Sequence, residues 1–276
     1  MKKGARSLIL FFVFTFIATW ITYSIIVING WNPYTMPGMV FLLIGGSAPS
    51  WVAVLMVLFT FDRDERRDYF RRSFSFRQIK LPYWLFIIFG LPLLFTILIL
   101  FDTSTGGSLP GMANLKAYIA SPLSIPFAIF MSFLSGPWSE EFGWRGFSLD
   151  PLLQRFGTLR GSIILGFIWG IWHLPLFFMP QTWHGTMGFK FAGFWTFMIY
   201  TFGLTMMMTW VYVKTNRSIL SGFMMHLVNN FTGQTIMPYS DRLEILRGVA
   251  MLVVGLVLVL VLERQTKPVT VLPLEA

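Results

Sequence analysis

Cysteine is absent from this 276-residue chain, so disulfides, thiol nucleophiles and thiolate metal sites are all excluded. Charge is scarce as well. Only 12% of the residues are charged, against about a quarter in an ordinary soluble domain. Too few polar side chains exist to cover a soluble core of this size. Histidine occurs three times, as His173, His184 and His226, followed by Leu, Gly and Leu, so there is no H-E-x-x-H zinc motif. No G-x-S-x-G elbow is present either, and no aspartate is expected deep in a membrane span, which closes the serine-elbow and aspartate-pair routes to hydrolysis.

What the chain has in quantity is apolar sequence: 55% of its residues are hydrophobic and 30 are Phe. The apolar residues fall in long runs separated by short charged or Gly/Pro-rich connectors. A run of about 18 or more can cross the hydrocarbon as a helix, and helices keep their backbone polar groups satisfied there. The expected fold is therefore all-α, a polytopic membrane helix bundle and an integral, multi-pass protein. Eight spans are expected: Leu8–Ile28, Met39–Phe61, Leu81–Phe101, Pro122–Phe147, Gly161–Pro180, Phe191–Val213, Ile219–Pro238 and Leu246–Leu262. The first run is too long for the core of a cleaved signal peptide and is read as a retained span.

The net charge of +9 could suggest nucleic acid in a soluble protein. Its placement explains it as topology, with membrane lipids as partners and no nucleic acid. With the N-terminus inside, Lys2, Lys3 and Arg6, the connector Asp62–Lys80, Arg155 and Arg160, Lys214 and Arg217, and Arg264 and Lys267 lie on one side. Lys116, Lys190, Arg242 and Arg247 lie on the other. The asymmetry predicts that both termini are cytoplasmic.

Ten of the twelve acidic residues are expected in connectors, tails or span ends. The exceptions, Glu140 and Glu141, stand side by side in the fourth span. His173 and His226 fall in the fifth and seventh, with Asn229 and Asn230 following His226, while His184 is expected at the surface of an outer loop. An ionisable side chain in the membrane costs a few kcal/mol and normally faces an interior cavity with a task. Glu141 and Arg145, four apart, share a helix face and can pair. Glu140 points to a different wall. His226 and Asn230 share another face. The three spans are expected to meet in a hydrated pocket opening toward the cytoplasm.

Such a set suits hydrolysis of an amide bond. A carboxylate can act as general base on water, a histidine can orient that water, and a second histidine with an amide can stabilise an oxyanion. The alternative use of Glu140, His173 and His226 is to hold a zinc ion whose bound water is the nucleophile.

The segment Ser139-Glu140-Glu141-Phe142-Gly143-Trp144-Arg145 resembles the E-E-x-x-x-R motif of the CPBP family of intramembrane proteases, also called Abi. That family joins CAAX prenyl endopeptidases of the Rce1 type to bacterial relatives linked to bacteriocin processing and self-immunity. Trp169-Gly170-Ile171-Trp172-His173 resembles its F-x-x-x-H motif with tryptophan for phenylalanine, and His226-Leu227-Val228-Asn229-Asn230 its H-x-x-x-N motif. The resemblance covers about Pro122 to Pro238. It implies a catalytic core at 122–238, flanked by membrane helices with the basic loop in 1–121 and by a last helix and tail in 239–276.

By the same resemblance Glu140 activates water, His173 helps to bind it, His226 and Asn230 stabilise the oxyanion, and Glu141 and Arg145 shape the site. It also implies a peptide or protein substrate, with a lipidated C-terminus in the CAAX branch. No cofactor is required; zinc is the alternative, and Asn230 suits an oxyanion donor better than a metal ligand. Two other functions stay open on the residues alone. One is a proton-coupled transporter using the buried Glu/His cluster; the other is a non-catalytic immunity protein.

Overall fold

The computed structural model describes residues 4–265, and no strand occurs among them. Lys2, Lys3 and Lys267, part of the predicted charge asymmetry, lie outside the described residues, as does the tail after Gln265. The helices are α1 (Ala5–Ile28), α2 (Gly38–Gly46), α3 (Ala48–Thr60), α4 (Arg63–Phe74), α5 (Leu81–Ser104), α6 (Ala113–Ala120), α7 (Ile125–Phe133), α8 (Ser139–Glu141), α9 (Leu149–Trp172), α10 (Trp183–Met187), α11 (Thr196–Lys214), α12 (Ile219–Ile236) and α13 (Asp241–Gln265).

By length and composition, five helical stretches among the described residues can cross a membrane. A sixth is reached if α2 and α3, bent by 50° to one another, form one broken span. That is fewer than the eight spans expected, for two physical reasons. α12 carries His226, Asn229, Asn230 and Gln234 and is too polar to qualify by hydropathy alone. Pro122–Phe178 runs as one helical stretch of 57 residues. As a straight helix it would be roughly 85 Å long, against a hydrocarbon core of about 30 Å. It does not run straight. Gly157 takes φ 77° and ψ 175°, a left-handed backbone setting open to glycine. A Cβ on Gly161 would lie 3.1 Å from the backbone of Leu152, whereas nine residues of continuous helix separate two positions by about 13 Å. The chain therefore folds back at Gly157 into two arms. Glu263 Oε1 accepts from the amide of Leu159 at 2.7 Å and so satisfies a backbone donor left free where the second arm begins. The first arm ends at this turn, several residues beyond the Phe147 boundary read from the sequence.

The two ends of the bundle differ. At one end α4 begins with a reciprocal capping box between Asp62 and Glu65. It is pinned to the bundle by Tyr69, whose hydroxyl donates to the carbonyl of Phe142 at 2.6 Å, and by Arg72, which donates to Tyr212 Oη at 2.9 Å. Arg217 pairs with Asp150 at the same end. At the other end Arg242 pairs with Asp102 at 3.0 Å and Lys190 with Asp241 at 2.7 Å. Two of the acids placed in connectors or at span ends by the sequence are buried at helix ends. Asp102 lies in the last turn of α5, and Glu244 lies on α13 beside Arg247 at 2.8 Å.

Candidate active site

The fourth-span segment owes its shape to Pro137, which has no N–H to give to the helix ladder. On both sides of α8 the helix widens into π turns, Leu134–Trp138 and Phe142–Ser148. Such turns are rare and tend to mark functional positions. Between them the two adjacent glutamates enter different surroundings, both almost wholly buried.

Glu140 lines a cavity of about 360 Å³. Its Oε2 accepts from two indoles, Trp144 Nε1 at 3.1 Å and Trp169 Nε1 at 2.6 Å. No hydrogen bond from a described residue holds Oε1. Glu141 is turned away from the cavity. Its Oε1 accepts from Arg145 Nη1 at 2.9 Å and from His226 Nδ1 at 2.7 Å. Arg145 is itself enclosed. Its guanidinium lies 4.5 Å from the Trp169 ring centre, and Nη2 reaches Met208 Sδ at 3.0 Å.

The two histidines are oriented through their Nδ1 atoms. His173 Nδ1 stands 2.7 Å from the carbonyl of Trp169. A carbonyl only accepts, so Nδ1 carries the proton and Nε2 keeps its lone pair. His226 Nδ1 donates to Glu141, which leaves its Nε2 directed elsewhere. Asn230 is set by a chain of donors: Tyr200 Oη donates to Asn229 Oδ1, and Asn229 Nδ2 donates to Asn230 Oδ1 at 3.1 Å. With its oxygen occupied, Asn230 presents Nδ2. Both this atom and His226 Nε2 close on Gly136. A side chain there would collide with Asn230 Nδ2 and stand 3.0 Å from His226 Nε2. Glycine at 136 thus keeps open the spot that the two nitrogens share.

Glu140, His173, His226 and Asn230 therefore line one cavity, while Glu141 and Arg145 stand behind it. Several participants were not singled out by the sequence. Trp169 and Trp144 hold Glu140, and Tyr200 and Asn229 set Asn230. Met208 contacts Arg145. His184, expected at the surface, is half-buried and stacks on His173, with ring centres 5.3 Å apart and planes at 28°. Burial, with the nearby His173, pushes its imidazole well below the usual histidine range. For Trp169 one signal existed, since its indole replaces a phenylalanine that has no donor. A lone loop histidine carries no signal.

Among the described residues no group of three His, Asp or Glu side chains stands close enough to hold a metal.

The cavity extends away from the basic connector. Its far wall is formed by Tyr34, Thr182, Trp183, His184, Met237 and Tyr239, all at the end remote from the basic connector. The reason lies in the fold-back at Gly157. The first arm continues well past Phe147, so Glu140 lies farther from the basic end than a span ending there would place it.

Fold and site together define an integral, multi-pass helical membrane protein with a carboxylate, two imidazoles and an amide gathered on an internal hollow. Residues 122–232 match the family model described as Type II CAAX prenyl endopeptidase Rce1-like, and every motif residue above falls inside that match. CAAX prenyl protease 2 of Methanococcus maripaludis is 24% identical over 262 residues, covering 90% of this chain and 92% of the relative. Both matches support a likeness to the CPBP family, on its Rce1-like side. That likeness supports an intramembrane endopeptidase.

Proposed function

We propose that this protein cleaves a peptide bond with water activated by Glu140 and with no metal ion. The observation that carries the reading is the asymmetric hold on Glu140: Oε2 is fixed by two indole donors, while Oε1 has no hydrogen-bond partner among the described residues on a carboxylate that lines the cavity. A carboxylate so oriented can take a proton from a water, which His173 Nε2 can hold as an acceptor. The resulting hydroxide attacks the carbonyl carbon of the substrate. Negative charge gathers on the carbonyl oxygen, where Asn230 Nδ2 donates, joined by His226 Nε2 in the imidazolium form, whose charge Glu141 would balance. The C–N bond then breaks, and the proton held by Glu140 passes to the departing amine. One water is consumed, and one carboxyl group and one amine are formed.

The substrate is a peptide or protein segment, as it is for the relative named a CAAX prenyl protease. The test is cleavage of an internally quenched peptide by the purified protein in lipid, before and after exhaustive chelation. Undiminished cleavage with substoichiometric zinc is the expected result. Activity lost on chelation and restored by zinc would overturn the metal-free mechanism.

A further inference from the structure

A buried cation lies close to the helix that carries the proposed oxyanion donors. Arg247 of α13 is only 4% exposed, and its Nη1 donates to Glu244 Oε2 at 2.8 Å. A buried ion pair adds little to stability, because the desolvation of both groups offsets their attraction. Ionisable groups inside a membrane bundle normally have a task. Arg247 also lies beyond residue 232, outside the stretch that matches the family model.

The guanidinium is held among three rings. Its carbon lies 4.5 Å from the Phe95 ring centre, 5.2 Å from that of Tyr200 and 4.2 Å from that of Tyr239. These are cation–π distances. α12 passes close by: a Cβ on Gly233, three residues after Asn230, would lie 3.7 Å from Arg247 Nη2. Only one of the rings leads back to the site. Phe95 has no polar atom, and the Tyr239 hydroxyl donates to the carbonyl of Gly233 at 2.9 Å. Tyr200 Oη donates to Asn229 Oδ1, and Asn229 Nδ2 donates to Asn230 Oδ1 at 3.1 Å.

Both bonds run in one direction, and Asn230 Nδ2 is the last donor of the row. A cation against a phenol ring draws electron density from it and strengthens its O–H as a donor. A stronger bond to Asn229 polarises that amide, which in turn polarises the amide of Asn230. Hydrogen bonds in a chain reinforce one another in this way in a low-dielectric interior.

We infer that Arg247, Tyr200 and Asn229 are positioning residues that orient and polarise Asn230 for the carbonyl oxygen of the substrate. What the relay serves rests on the proteolytic reading. Its existence rests on packing and hydrogen-bond direction alone.

The test uses two variants of the full chain in lipid, singly and combined. Y200F keeps the ring and removes the donor. E244L/R247M removes both charges, so that neither is left buried alone. Y200F should lower kcat roughly 3–10-fold with KM little changed, the worth of one hydrogen bond. E244L/R247M should lower it roughly 2–5-fold. Combined, they should lose no more than Y200F alone, because the relay is already cut. Losses that multiply, or a rise in KM alone, would overturn the relay.

A second readout needs no proteolysis. In protein labelled with 15N-asparagine, the side-chain amide protons of Asn230 are identified by their loss in N230D. They should move upfield in Y200F and in E244L/R247M, as a weakened row of donors requires. Unmoved resonances in folded variants overturn the relay and leave the Glu140 mechanism standing. A wild-type protein that cleaves no peptide, with the shifts present, overturns the proteolytic reading and leaves the relay standing.

Discussion

Two carboxylates one residue apart sit against two different walls, and the difference separates chemistry from architecture. Glu141 faces the dry side, where a single oxygen holds Arg145 and His226 within 2.9 Å. Its charge is matched and its position is fixed. Glu140 faces the hollow with indole donors and, among the described residues, no cation in hydrogen-bond contact. In a low-dielectric interior a paired charge is structural, and the carboxylate proposed as the base is the one without that pairing. The same side chain serves both purposes because the π turns flanking α8 aim the two in different directions.

The comparison can be broken first at Glu141. Replacing it by glutamine leaves Arg145 enclosed without a counter-charge, a loss of about 3–5 kcal/mol when one partner of a buried pair is removed. E141Q should therefore melt well below the wild type in a thermal scan in detergent. A wild-type melting temperature would show that the pair is ornamental. A smaller effect is expected at Asn230. N230A should lower kcat by about 10²–10³-fold with KM little changed, the usual cost of one oxyanion donor. An equal loss in KM alone would make it a substrate-binding group instead. Smaller again is W169F, which restores the residue usual in the resembling motif and removes the 2.6 Å donor to Glu140. A hydrogen bond to a charged group is worth about 1.5–3 kcal/mol, so kcat should fall roughly 10–100-fold while the protein stays folded. An unchanged kcat would mean that Trp144 alone sets the carboxylate.

Much of this organisation was legible in the sequence, because the membrane permits so few polar residues. The isolation of Glu140, Glu141, His173 and His226 in apolar runs singled them out, and four-residue spacing put Glu141 on Arg145 and Asn230 below His226. Two kinds of feature were hidden. The turn at Gly157 is surrounded by helix-forming residues, and only the contact of Gly161 with Leu152 reveals that the chain has reversed. The supports of the site cross between helices far apart in the chain. Trp169 reaches Glu140 across 29 positions, and Tyr200 reaches Asn229 across the same separation. No local pattern encodes such pairs. His184 was hidden for a third reason, since a residue of the short helix α10 gains its place over His173 only once the neighbouring helices have packed.

The most direct measurement of the central claim is the cleavage rate of E140Q beside that of the wild type, on protein shown to melt at the same temperature. Glutamine keeps the shape and an oxygen for the indole donors but cannot take a proton from water. Loss of the general base should slow cleavage by at least about 10²–10⁴-fold without lowering stability. Cleavage at the wild-type rate by folded E140Q would contradict a glutamate-activated water outright.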